Sequence, residues 1–485
     1  MIAPYGQSLA LLTDLYQLTM ASGYWKEGLA EREAVFYHYF RKAPFGGAYA
    51  IAAGLETALE WLRSLRFEED DLAYLAGLRG QGGLPLFEPR FLDYLGATAF
   101  RCDVDAMAEG TAVFAEEPVA RVRGPLLQCQ LAETALSNIL NFQTLIATKA
   151  ARVCRAADGD AVLEFGLRRA QGIDGGLSAS RAAFIGGCAA TSNVLAGKVY
   201  GIPVRGTHAH SWVLAFDSEP EAFEAFARAM PHNCVLLVDT YDSHEGIRRA
   251  AEVGRRLREQ GFRLTGIRLD SGDLAALSVE ARRILDAAGL EDAAIVASND
   301  LDEHAIADLK ARGSRIGVWG VGTSIASAKG QSALGGVYKL ALLRDSTGTW
   351  QAKAKRSEDA AKASTPGILQ VRRYSAGAAI RADLVYDESH PPQGRWAGTG
   401  FGREGEGPPV EPGGDHEDLL RPVLRAGRPV AEPEPLARAR DRCRAQLSQL
   451  PAELLRPQPQ RSFPVLIEDG LLRRREDLLR RPAGA

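Results

Sequence analysis

The chain is short of the residues and patterns that mark several protein classes. Of its 485 residues only six are cysteine (Cys102, Cys129, Cys154, Cys188, Cys234, Cys443), and no two form a CxxC pair. That excludes a zinc knuckle, a dithiol motif and a disulfide scaffold, and the six read as small buried apolar residues. No apolar run approaches the roughly 20 residues of a membrane span. The N-terminal MIAPYGQSLALLTDLYQ lacks the basic start and long apolar core of a signal peptide, so the expected location is cytoplasmic. An excess of charge is missing too. With 58 basic against 61 acidic residues the balance is −3, which gives no bulk attraction for nucleic acid or an anionic membrane. A GxxxxGKS/T loop occurs nowhere, nor a GxGxxG spaced from a ribose-binding acid.

What is present is ordinary globular material: 46% hydrophobic, 25% charged and 7% aromatic. The length is too great for one domain and predicts two or three. Residues up to about 100 read as mostly helical, and CDVDAMAEGTAVFAEEPVARVRG alternates like strands. A long amphipathic helix follows, with Leu131, Leu136, Ile139, Leu140, Ile146 and Val153 at helical spacing, and the first domain boundary is placed inside or near it. From about 160 the texture repeats. The short apolar runs AVLEFG, IPVRGT, CVLLVD, LTGIRLD, AAIVASND and RIGVWGVG are interleaved with helices such as SHEGIRRAAEVGRRLREQ and DLAALSVEARRILDAA. Short apolar strands alternating with helices mean a parallel sheet covered on both faces, either an α/β barrel or a doubly wound sheet. After Leu340 the pattern loosens. VRRYSAGAAIRADLVYD reads as a hairpin, residues 388–436 are rich in Gly and Pro with a surface insertion at their centre, and LARARDRCRAQLSQL is a last helix. The expected division is 1–130, 131–345 and 346–485.

Each apolar run ends in a chemically capable group. These are Glu164 with Arg168, Thr207 with His210, Asp239 with Asp242, and Arg268 with Asp270 and Asp273; then come Ser298, Asn299 and Asp300, and finally Gly320, Gly322 and Thr323. The carboxyl ends of parallel strands carry the site in α/β folds. Asp, Asn, Ser and Thr at such junctions also serve as helix N-caps, which is an even competitor for any single Asp. Caps do not account for two arginines and a histidine joining the series.

The residue types suggest an anionic, phosphate-bearing small substrate with Mg²⁺. Asp239, Asp270 and Asp273 supply hard oxygen ligands for Mg²⁺ against a polyphosphate. Arg168 and Arg268 offer planar forks for a carboxylate or phosphate. Gly320, Gly322 and Thr323 at a helix start read first as a tight turn and second as a phosphate cradle. His210 can carry a proton or attack phosphorus. His208 and His210 lack a third ligand nearby, which disfavours a transition metal.

These residues lie in longer segments that resemble the nicotinate phosphoribosyltransferases: TDLYQLTM (13–20), EFGLRRAQGIDGGLSASRAAFIGG (164–187), ATSNVLAGKVYGIPVRGTHAHSW (190–212), VDTYDS (238–243), IRLDSGDL (267–274) and WGVGTSIASAKG (319–330), with KRSEDAAKASTPG fitting too. The resemblance implies a type II phosphoribosyltransferase: an irregular TIM-like α/β barrel beside an α/β N-terminal domain, with a C-terminal extension. The unit it implies is a homodimer with shared active sites. It implies formation of nicotinate mononucleotide from nicotinate and phosphoribosyl pyrophosphate, an NAD-salvage step, with ATP as co-substrate hydrolysed through a phosphohistidine at His210. Asp270 and Asp273 would serve the ribose hydroxyls and Mg²⁺, with Asp239 supporting. Tyr16, from the partner subunit, and Phe165 would stack on the pyridine. Arg268 and Thr207 would hold the carboxylate with Arg168 nearby, and Gly322 and Thr323 the ribose 5-phosphate. Neutral Ser192, where the related nicotinamide enzyme places an aspartate, favours the acid substrate over the amide. Quinolinate phosphoribosyltransferase fits less well, needing no phosphohistidine and being shorter; a non-catalytic nucleotide-binding relative is the remaining alternative.

Overall fold

The computed structural model describes residues 8–354, 364–392, 399–400 and 415–480. The chain divides into two compact units, Ile146–Ser332 and a second that combines Met1–Leu145 with Ala333–Ala485. The division falls inside the helix Glu133–Ala156, within the stretch expected to be one long helix; a separate helix, Leu126–Leu131, precedes it.

The unit Ile146–Ser332 contains six short parallel strands, β1 (Ala161–Glu164), β2 (Ala190–Thr191), β3 (Val235–Leu237), β4 (Gly266–Leu269), β5 (Ala294–Ala297) and β6 (Val318–Val321). Their lateral order is β2-β1-β6-β5-β4-β3. The edges β2 and β3 do not end the sheet, because residues 203–208 lie between them. On one side Thr191 bridges Val204 in parallel, with Thr191 N–H donating to Pro203 O and Arg205 N–H to Thr191 O, both at 3.0 Å. On the other side the bonds to β3 use side chains: Asn233 Nδ2 to Gly206 O at 3.2 Å, Thr207 Oγ1 to Val235 O, and Leu237 N–H to His208 Nε2 at 3.2 Å. The sheet therefore closes on itself. Of the two parallel arrangements left open by the sequence, the fold is the barrel, and its irregularity is this seventh stave.

The core of these strands is aliphatic and buried, as in Leu236, Leu237, Ile267, Leu269, Ile295, Ala297 and Val321. Helices return the chain along the outside, several starting on a polar side chain. Asn193 caps Val194–Tyr200, Ser218 caps Glu219–Ala229, Asp242 caps Ser243–Glu259, Asp273 caps Leu274–Ala287 and Asp302 caps Glu303–Ala311.

The second unit is built on an antiparallel sheet that draws from both ends of the chain. Strand Glu33–Phe40 pairs with Ala120–Pro125 on one side and Gly336–Arg344 on the other, while Arg421–Arg425 pairs with Asp103–Ala106. The expected C-terminal region is thus not separate; its strands occupy hydrogen-bonding edges that the N-terminal strands leave open. Strand Glu33–Phe40 was not anticipated in a stretch read as helical. Its run AVFYHYF is buried throughout, so it lacks the alternation that marks a half-exposed strand. The hairpin is found, Leu369–Ala376 against Ala379–Asp387, and a further helix, Asp469–Arg480, follows Leu436–Gln449. The centre of the Gly/Pro-rich insertion and most of KRSEDAAKASTPG lie outside the described residues.

Candidate active site

The carboxyl ends of β3, β4, β5 and the seventh stave converge on one network. Asp239, just beyond β3, accepts at Oδ2 from the Asp270 N–H (2.8 Å) and the Ser271 hydroxyl (2.7 Å), which fixes the turn after β4. Its other oxygen, Oδ1, is buried with no hydrogen-bond partner among the described residues. Asp270 accepts at Oδ1 from the Ser298 hydroxyl, which arrives from the end of β5. Its Oδ2 stands 3.8 Å from His210 Nε2, and His210 Nδ1 meets Thr240 Oγ1 at 3.2 Å. Asn299, following Ser298, holds a φ of 132° where non-glycine residues are strained, as occurs at functional loops.

Arg268 points into the same space from β4. Nη1 donates to His208 O at 3.2 Å, Nη2 lies 3.9 Å from Asp270 Oδ1, and the buried Nε has no partner among the described residues. Burial depresses its pKa against the pull of Asp270 and Asp239, and the nearby Arg168 depresses it further. A guanidinium that is desolvated, incompletely partnered and pressed by a second arginine is ready to accept an anion.

The junction of β1 with β6 forms the opposite wall. Phe165 N–H donates to Val321 O at 2.9 Å. A Cβ on Gly320 would come within 2.8 Å of the Phe165 ring, and one on Gly322 within 3.1 Å of its carbonyl oxygen. The packing of the Phe165 ring therefore leaves no room for a side chain at position 320. Thr323 is exposed at the start of the short helix Thr323–Ala326. Glu164 is not free to act with Arg168: it is buried, and accepts from Gly166 N–H, Ser180 Oγ (2.9 Å) and Thr191 Oγ1 (2.6 Å).

Two expected site residues are otherwise engaged. Asp273, expected beside Asp270 on ribose and Mg²⁺, accepts from Ala275 and Ala276 N–H as a helix cap and from Arg312 Nη2 through both oxygens, at 2.8 and 2.7 Å. These bonds hold its carboxyl below the usual range. Thr207, expected on the carboxylate, gives its hydroxyl proton to Val235 O. Tyr16 belongs to the other unit, on the helix Leu15–Lys26, where its ring is half exposed and its hydroxyl accepts from Gln17 Nε2 at 2.8 Å. Conversely, Thr240 and Ser271 join the network without having been singled out, although each is a hydroxyl beside a strand-end carboxylate in VDT and LDS; Ser298, named among the run-ending groups without a role, joins it through Asp270.

Known proteins resemble this chain over most of its length. The model of the nicotinate phosphoribosyltransferase N-terminal domain matches residues 11–141, and that of the nicotinate phosphoribosyltransferase family matches 161–365. A nicotinate phosphoribosyltransferase of Bacillus subtilis is 47% identical over 367 residues, 76% of this chain and 73% of the relative. One from Mycobacterium tuberculosis is 41% identical over 465 residues, 96% of this chain and 92% of the relative. The crystal structure of human nicotinic acid phosphoribosyltransferase superposes with a TM-score of 0.84 at 34% identity, covering 96% of this chain and 99% of that one. Nicotinate-nucleotide pyrophosphorylase from Pyrococcus furiosus shares the fold, with a TM-score of 0.69 at 22% identity. The chain belongs to the nicotinate phosphoribosyltransferase family.

Proposed function

We propose that this protein forms nicotinate mononucleotide and pyrophosphate from nicotinate and phosphoribosyl pyrophosphate, with ATP hydrolysis coupled through phosphorylation of His210. The observation that carries the reading is the meeting of Arg268, Asp239, Asp270 and His210 at one barrel mouth, in a chain related to that family over nearly its whole length. Arg268, with Arg168 nearby, would hold the nicotinate carboxylate, an anion that suits a cationic, partly desolvated fork. Phe165 would stack on one face of the pyridine and Tyr16 of the partner subunit on the other, in a homodimer with shared sites. The pyridine nitrogen attacks C1 of the ribose, the bond to pyrophosphate breaks, and the electron pair leaves with the pyrophosphate. Asp270, steadied by Asp239, would meet the ribose hydroxyls and the positive charge that develops at C1. Gly322 and Thr323 would receive the ribose 5-phosphate. Asp273 and Thr207 support the site through the bonds they already make, one capping a helix and the other closing the barrel.

Mg²⁺ fits these residues. Asp239 Oδ1 is buried with no hydrogen-bond partner among the described residues, and Asp270 adjoins it through its own N–H bond to Asp239 Oδ2. That suits a hard cation held by one or two carboxylates and completed by phosphate oxygens and water. When bound, it would neutralise charge on the departing pyrophosphate. His210 is open enough to meet a phosphoryl group, with a side chain 40% exposed. The test is to follow mononucleotide and ADP formation with wild type and His210→Ala. The expected result is ATP-stimulated product in the wild type, and transfer without ATP use in the variant. ATP hydrolysis that persists in His210→Ala would overturn the phosphohistidine assignment.

A further inference from the structure

The sequence offers two histidines, His208 and His210, and the structure separates their work. Only the second is open at the barrel mouth. The first is 7% exposed, with its ring edge-on to Phe226 at a centroid distance of 4.7 Å. Its Nε2 accepts the Leu237 N–H at 3.2 Å, so Nε2 must carry a lone pair and the proton sits on Nδ1, which faces Ala209 O at 3.3 Å. Burial, with lesser contributions from Arg268 and His210, pushes its pKa down to about 4, so the ring is neutral under ordinary conditions.

We propose that His208 is a positioning residue, a neutral imidazole latch that fastens the seventh stave to β3 and thereby fixes both Arg268 and His210. The inference rests on the reading of those two as site residues. Three features of the geometry support it. Elsewhere between the barrel strands a backbone ladder holds neighbours in register, whereas here the ring supplies the acceptor for a strand amide. The backbone carbonyl of the same residue accepts from Arg268 Nη1, so moving the stave moves a partner of the anion-binding fork. Two residues onward the stave delivers His210 to Thr240 and Asp270. Without the ring, Leu237, which is fully buried, presents an amide with no acceptor, and an unsatisfied buried donor is costly enough to shift the stave.

The chemistry dictates an unusually selective rescue. A glutamine places its amide oxygen near the position of Nε2 and accepts from the same N–H, whereas alanine offers no acceptor. The test uses the full-length protein and reads hydrogen exchange at the Leu237 amide together with kcat and the KM for nicotinate. His208→Ala is expected to speed that exchange at least tenfold relative to the other β3 amides. It should also lower kcat about tenfold and raise KM for nicotinate, as loss of positioning does. His208→Gln should recover all three to within about threefold of wild type. Exchange and kinetics in His208→Ala that stay within twofold of wild type would overturn the proposal, as would a folded His208→Gln as impaired as alanine. If His208→Ala does not fold, His208→Gln carries the test: retained protection and turnover support the latch, and their loss overturns it. Faster exchange with unmoved kinetics, when His210→Ala and Arg268→Ala are also kinetically silent, overturns the underlying site reading and with it any catalytic role for the latch.

Discussion

The two sides of the barrel mouth are built differently. On the β4, β5 and β6 side, parallel backbone ladders run between neighbouring strands, and the acidic groups emerge from a rigid frame. On the other side the stave 203–208 is tied to β3 by a threonine hydroxyl, an asparagine amide and an imidazole. The ladder side carries Asp270 and Arg268, the residues proposed above to meet substrate. The side-chain-tied side carries His210, the residue proposed above to exchange a phosphoryl group.

The largest effects are expected on the rigid side. Asp270→Asn and Arg268→Ala should each lower kcat/KM for mononucleotide formation by about 100-fold or more, the scale of a lost charged contact to reacting groups. Steady-state kinetics check this, and losses below fivefold would mean that neither touches substrate. Next comes His210→Ala on the seam side, which should abolish the rate gain from ATP while leaving slower transfer. Equal ATP stimulation in this variant would erase the contrast between the two sides.

Asp273 sharpens the comparison from within the rigid side, because it lies three residues from Asp270 and does another job. Asparagine is as good an N-cap as aspartate, so Asp273→Asn should keep turnover within about threefold and leave the melting temperature little changed. A metal-ligand role would require a far larger loss of turnover. Melting curves and kinetics on the same preparation decide it.

A separate effect, on stability rather than turnover, is a slope with pH. His208 and His38 both have pKa values lowered to about 4, in each case mainly by burial. Since the folded values lie below the unfolded one, the native state binds fewer protons, and stability falls as pH drops from about 6.5 toward 4. Above about 6.5 neither histidine contributes a slope. Denaturant melts across that window should show the decline, and His208→Gln should flatten part of it.

Much of the barrel was legible because its signals are local. Apolar runs such as CVLLVD and AAIVASND, spaced by helices with Asp or Ser at their starts, need no long-range information. Position in a run also marked Asp239, Asp270 and Arg268 as mouth residues. The run IPVRGT marked the stave, but its closing of the barrel was not legible, because its bonds to β3 come from the side chains of Asn233, Thr207 and His208. Cap and ligand look alike in sequence, so the spacing alone groups Asp273 with Asp270, whereas its carboxylate bonds to Ala275, Ala276 and Arg312. The pairing of Glu33–Phe40 with Gly336–Arg344 joins segments about 300 residues apart, and no local pattern reports it.

The most direct test of the account offers the purified protein phosphoribosyl pyrophosphate and Mg²⁺ with either nicotinate or nicotinamide, each with and without ATP. The account predicts mononucleotide from nicotinate only, formed faster with ATP and with ADP released. Product from nicotinamide at a comparable rate, or no product from either base, would contradict it.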